Sequence, residues 1–104
     1  MLRILLCCSA GMSTSMLVSK MQAAARRESF ECKIEAMSIA QAKMELDKWD
    51  VVMVGPQMGF AVKELQAVTD KPVEVIPPQI YAVAKGPDAI KMAQDMAKKA
   101  GLSF

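Results

Sequence analysis

Apolar residues fall in short bursts separated by longer amphipathic stretches, and the period of each stretch predicts its conformation. Leu2–Cys7 is almost continuously apolar, as a strand covered on both faces must be. Residues 9–15 are small and polar and read as a loop. Beyond them Met16, Leu17, Met21, Ala24 and Ala25 recur at helical spacing, and Lys20, Arg26 and Arg27 gather toward the end, where cations suit the helix dipole. About four turns of helix are expected there. Residues 31–37 alternate, with Cys32, Ile34 and Ala36 on one side and Glu31, Lys33 and Glu35 on the other, the pattern of a half-exposed edge strand. Ser38 is placed to cap a short helix over 39–46. The β-branched run Val51–Val54, closed by Gly55 and Pro56, predicts a buried central strand. A helix over 58–68, a strand over 73–76 stopped by Pro77 and Pro78, and a helix over 87–100 followed by Gly101 complete the chain.

Strand and helix thus alternate four times. This order predicts an α/β fold: a four-stranded parallel sheet, doubly wound by right-handed crossovers with helices on both faces. Ligands of such sheets bind at the carboxyl ends of the strands. No repeat, linker or low-complexity tract interrupts the pattern, so residues 1–104 read as one domain.

Composition then removes several chemistries. Hydrophobic residues make up 53% and charged residues 23%, enough for a core and a solvated surface, so disorder is excluded. Thirteen basic residues against eleven acidic ones leave a net charge of +2, too balanced to argue for nucleic acid. The chain has no histidine, which excludes a Ser-His or Cys-His pair, histidine metal ligation and phosphohistidine within it. Any histidine chemistry must come from a partner. Cys7, Cys8 and Cys32 are odd in number and lack metal-site spacing, which points to a reduced, cytoplasmic setting with no metal and no cofactor. The apolar start is too short for a signal peptide, and its hydroxyl residues rule against a membrane span.

The informative segment is Cys7-Cys8-Ser9-Ala10-Gly11-Met12-Ser13-Thr14-Ser15, a loop running from the first strand into the first helix. Backbone N–H groups converge at such a helix N-terminus, and small hydroxyl residues let them close on one tetrahedral oxyanion. Gly11 leaves the turn unobstructed. A thiol at the mouth of this loop sits in positive potential, which favours thiolate. Cys8 begins the loop and is the candidate nucleophile, whereas Cys7 ends the apolar strand and Cys32 lies within another, both as small buried hydrophobes. Ser9, Ala10, Gly11, Met12, Ser13, Thr14 and Ser15 are the candidate phosphate cradle. Gln57, after the third strand, reads either as a rim donor or as part of a plain turn, and Tyr81, after the fourth, either as rim or as sheet packing. Most of the ten methionines fit core filling, with Met12 facing approaching partners. Arg26, Arg27, Lys98 and Lys99 read as solvated helix ends.

A cysteine-based tyrosine phosphatase uses a similar strand, loop and helix but requires an arginine at the position that is Thr14 here. Without that fork the loop can hold phosphate but is poorly equipped to hydrolyse it. Carrying phosphate fits better, with a phosphatase or arsenate-reductase-like hydrolase and a redox sensor built on Cys7 and Cys8 as the competing readings.

The run from Leu6 to Val18 resembles the phosphocysteine loop of the enzyme IIB component of the bacterial phosphoenolpyruvate-dependent sugar phosphotransferase system, in its lactose, cellobiose and chitobiose branch. Val54-Gly55-Pro56-Gln57 and Lys71-Pro72-Val73-Glu74-Val75-Ile76 are similar to the same family. The resemblance implies that Cys8 accepts a phosphoryl group from a phosphohistidine of the A component. It then passes the group to a sugar, a β-linked disaccharide, held by the membrane-embedded C component. It further implies a cytoplasmic protein, monomeric in isolation and peripherally associated with the membrane through the C component. Cys7 departs from the apolar residue common before the nucleophile in that family, which leaves a disulfide or another oxidative side reaction open.

Overall fold

The apolar bursts lie side by side as four parallel strands: β1 (Leu2–Cys7), β2 (Cys32–Met37), β3 (Val51–Val54) and β4 (Val73–Val75). The computed structural model describes residues 1–8 and 11–102, with backbone alone at 11–14. Helices α1 (Gly11–Arg27), α2 (Ile39–Lys43), α3 (Ala61–Gln66), α4 (Pro78–Ala82) and α5 (Gly86–Lys99) connect and flank the strands. The strand order is β2-β1-β3-β4. From β1 the chain winds outward to β2, then crosses back to β3 and β4 on the other side. The direction of winding reverses between β1 and β3, which is where sheets of this kind open a crevice at their carboxyl ends.

Alternation along the strands splits the core into two layers. Leu2, Ile4 and Leu6 of β1, with Val51 and Met53 of β3, pack against Leu17 and Met21 of α1 and Ile90 and Ala93 of α5. Leu5 and Cys7, with Val52 and Val54, pack on the opposite face against Ala42, Leu46, Ala61 and Leu65. A strand covered on both faces has no polar position to offer, and β3 is buried at every residue. Trp49 lies in the second layer, 2% exposed, with the Lys33 ammonium 5.5 Å from its ring centroid.

At the amino edge of the sheet, Arg3 and Asp50 clasp β1 to the start of β3. The Arg3 backbone N–H donates to Asp50 Oδ2 (2.8 Å) and Arg3 Nη2 to Asp50 Oδ1 (3.1 Å), while Asp50 N–H returns a bond to the Arg3 carbonyl (2.8 Å). On the outer side of β4, Gln66 Nε2 donates to the Val73 carbonyl (3.1 Å).

Several boundaries differ from the sequence pattern. The loop expected over 9–15 is already helical from Gly11, while Ser9 and Ala10 lie outside the described residues. Serine and threonine suit a first turn as well as a loop, so composition misplaced the boundary. The helix expected over 39–46 is shorter, ending at Lys43 and followed by a 3-10 turn at Leu46–Lys48, although Ser38 caps it as expected, accepting from Gln41 N–H at 3.2 Å. The helix expected from 58 begins at Ala61 after a 3-10 turn at Pro56–Met58. Pro77 and Pro78 do stop β4, yet Pro78 also starts α4, because a fixed φ and a missing N–H are harmless in a first turn. Ala36 is exposed and Cys32 only half-buried, because β2 is an edge strand whose cover is incomplete.

Candidate functional site

Cys8 follows the last residue of central strand β1 and stands three residues before α1 begins. The peptide unit in front of it is held from both sides. The Cys7 carbonyl accepts from Gly55 N–H (3.0 Å), and Cys8 N–H donates to the Met37 carbonyl (3.2 Å). Neighbouring strands β2 and β3 therefore fix the backbone that carries the Cys8 sulfur, which lies at the topological reversal between β1 and β3. The side chain is 7% exposed.

The first N–H groups of α1 have no acceptor within the helix and carry the positive end of its dipole. No acidic residue occupies that first turn, whereas Arg26 and Arg27 occupy the last. Both features favour an anion at the end where the Cys8 connection enters. Of the expected cradle, Gly11, Met12, Ser13, Thr14 and Ser15 belong to α1, and Ser15 is exposed. Ser9, Ala10 and the side chains of Met12, Ser13 and Thr14 lie outside the described residues.

Gly55 brings the expected rim residues together. A Cβ placed there would lie 3.1 Å from Gln57 Oε1, 3.6 Å from Tyr81 Cε1 and 3.7 Å from the Cys7 carbonyl oxygen. Gln57 and Tyr81 therefore both border Gly55, beside the strand end that bears Cys7. Gln57 is exposed and free to face a ligand, while Tyr81 is 8% exposed and packs its ring into the layer of α1 and α5. The sequence singled out Gln57 and Tyr81 but not Gly55 as their meeting point. The glycine after the β-branched run was the available signal.

Cys7 is 1% exposed in the layer with α2 and α3, and burial, with a smaller contribution from Cys8, pushes its thiol up to about 12. It stays protonated and apolar at neutral pH. Strand alternation turns the Cys8 side chain to the other side of the sheet, since its N–H still continues the ladder to Met37. A disulfide needs its two Cβ atoms close and facing, so this backbone opposes a bond between the neighbours. Cys32 lies on edge strand β2, and burial raises its thiol as well.

Among the described residues no group of three His, Cys, Asp or Glu side chains is gathered to hold a metal. No helix among them is long and apolar enough to cross a membrane.

A model of the family described as "PTS system, Lactose/Cellobiose specific IIB subunit" matches residues 3–92. The oligo-beta-mannoside-specific EIIB component of Bacillus subtilis (strain 168) is 44% identical over 96 residues, covering 89% of this chain and 93% of that protein. The galactose-specific EIIB component of Lactococcus lactis subsp. cremoris (strain MG1363) is 37% identical over 101 residues, covering 89% and 94%. The solution structure of the cellobiose-specific phosphotransferase IIB component protein from Borrelia burgdorferi superimposes with a TM-score of 0.80 at 32% identity, over 95% of this chain and 94% of that one. The lactose-specific IIB domain from Streptococcus pneumoniae has a TM-score of 0.82 at 11% identity, over 91% and 96%, a likeness of fold alone.

Proposed function

Because this chain belongs to the lactose/cellobiose-specific IIB family and is a phosphotransferase subunit of the sugar phosphotransferase system, we propose that Cys8 is its phosphoryl carrier. The observation that carries the reading is the placement of Cys8 between the clamped end of β1 and the N-terminus of α1. Subunits of this system work with A and C components. The absence of histidine from the chain fits a division in which the A component supplies the phosphohistidine.

Two in-line displacements follow. In the first, the Cys8 thiolate attacks phosphorus, and the sulfur–phosphorus bond forms as the nitrogen–phosphorus bond breaks, with the electron pair staying on the donor imidazole. In the second, a sugar hydroxyl held by the C component attacks the same phosphorus, the oxygen–phosphorus bond forms as the sulfur–phosphorus bond breaks, and the hydroxyl proton passes to the departing Cys8 sulfur. Both steps spread charge over three equatorial oxygens, and neither needs a strong base in this chain. The free N–H groups that open α1 receive those oxygens, with Gln57 at the rim. Cys7, buried and protonated, takes no part.

The sugar is a β-linked disaccharide, a reading supported by the oligo-beta-mannoside and cellobiose specificities in the names of two relatives, although a third is galactose-specific, and the C component selects it. Residues 1–104 act as one cytoplasmic module, monomeric in isolation and reaching the membrane through the C component.

Intact mass tests the assignment. The purified protein is mixed with phosphoenolpyruvate, the general phosphotransferase proteins and a cognate A component, beside Cys8→Ser. A single phosphate adduct on the wild type, mapped to Cys8 and missing from Cys8→Ser, is the expected result. An adduct that persists in Cys8→Ser, or turnover of an aryl phosphate by the isolated chain, would overturn it.

A further inference from the structure

The backbone does not call for glycine at position 55. Gly55 follows β3 with φ −59° and ψ 148°, a conformation open to any residue, so what its missing side chain supplies is space. Cys7 lies beside Val54 on parallel strands, and the bond from Gly55 N–H to the Cys7 carbonyl (3.0 Å) carries that register one residue further, setting Gly55 beside Cys8. Side-by-side residues of parallel strands project to the same face. The space over Gly55 therefore lies on the face to which Cys8 turns, walled by the Tyr81 ring, whose Cε1 is 3.6 Å from where a Cβ would stand.

The Gln57 carboxamide reaches into that space. Met58 N–H donates to the Gly55 carbonyl (2.9 Å), closing the 3-10 turn Pro56–Met58 that folds Gln57 back over the strand end, and Gln57 Oε1 comes to 3.1 Å from the Cβ position. Among the described residues no hydrogen bond engages the carboxamide. With Oε1 toward Gly55, Nε2 remains as a donor. The loop has Thr14 where a phosphate-clamping arginine would stand, so a donor from the adjoining strand end adds stabilisation of oxygen charge that the loop side chains do not carry.

Given Cys8 as the phosphoryl carrier, we infer that Gly55 is a positioning residue for the transfer: the space it leaves seats the Gln57 carboxamide beside Cys8, where Nε2 donates a hydrogen bond to an equatorial oxygen of the phosphoryl group. An alanine at 55 meets only ordinary contacts with the Tyr81 ring (3.6 Å) and the Cys7 carbonyl (3.7 Å) and a tight one with the far end of Gln57, so the side chain that must move is Gln57 alone. Gly59 is the matched control in the same connection, since a Cβ there has nothing nearer than Val75 Cγ2 at 3.7 Å.

The test follows transfer from a cognate A component carrying phosphohistidine by time-resolved intact mass, with the phosphate first mapped on the wild type. Gly55→Ala and Gln57→Leu are each expected to lower kcat about tenfold with KM for the A component unchanged, while Gly59→Ala keeps the wild-type rate. Gly55→Ala combined with Gln57→Leu is expected to be no slower than Gln57→Leu alone, because both act through one carboxamide. Gln57→Glu, alike in size but anionic, is expected to be the slowest. With phosphate on Cys8, a wild-type rate in Gln57→Leu would overturn the inference whatever the stability of Gly55→Ala. So would a further tenfold loss when Gly55→Ala is added to Gln57→Leu, or an equal loss in Gly59→Ala. Phosphate mapped to another residue would overturn the carrier assignment itself, and this inference with it.

Discussion

Cys7 and Cys8 are identical side chains whose chemistry is divided by one step of strand alternation. Cys7 ends the apolar run and Cys8 opens the small-residue segment, so the place of Cys7 in the core was legible from position alone. The oxidation left open between them was not decidable from sequence, because it turns on which side of the sheet each sulfur takes. Burial holds the Cys7 thiol at about 12 against an ordinary 9.0, so the folded state keeps a proton that the unfolded chain releases. The linked stability is complete below pH 9.0 and is lost as pH rises toward about 12. Cys7→Val is expected to flatten this alkaline fall, read as melting temperature against pH, and iodoacetamide near about pH 8.5 is expected to spare Cys7 in the native wild type. A Cys7 alkylated as readily as in denatured protein would contradict its burial in the core.

At the scale of elements, hydrophobic period located most helices and strands, and local chemistry marked their ends less well. Ser38 was legible as a cap because its side chain acts three residues away, whereas the start of α1 was placed too late because its first turn has a loop's composition. Helix α4 was missed because the proline pair that ends β4 also begins the helix. Most hidden of all was the crossing of α1 and α5, where a glycine in the first turn of α5 works through a residue far back in sequence. A Cβ at Gly86 would run into the Lys20 backbone carbonyl, which cannot move without shifting α1. Gly86→Ala is expected to destabilise the fold by about 2 kcal/mol in urea unfolding, despite the better helix propensity of alanine. A neutral or stabilising result would mean that the two helices separate more easily than this contact implies.

For the whole molecule, alternation along residues 31–37 and the purity of Val51–Val54 were enough to separate edge from centre, and the alternation of elements gave the fold class. The fastening between strands was not legible, since a lone aspartate ahead of a strand says nothing about a partner 47 positions away. Burial opposes the Asp50 charge, but the hydrogen bonds and positive charge of Arg3 outweigh it and hold the carboxyl below its ordinary 3.8. The stability this supplies is present above pH 3.8 and is lost as pH falls through the lower folded value. Asp50→Asn is expected to melt earlier than wild type at neutral pH and to converge with it under acid, and parallel curves at all pH values would contradict that. The sheet ends differently on its two open sides. Edge strand β2 presents exposed Lys33 and Glu35, while β4 is three residues long with one outward carbonyl already occupied by Gln66. Neither border offers a long apolar template, so strand addition between copies is discouraged and amyloid-like stacking has no foothold. A shuttle that must release every partner it meets is thereby protected against binding permanently to itself in a crowded cell.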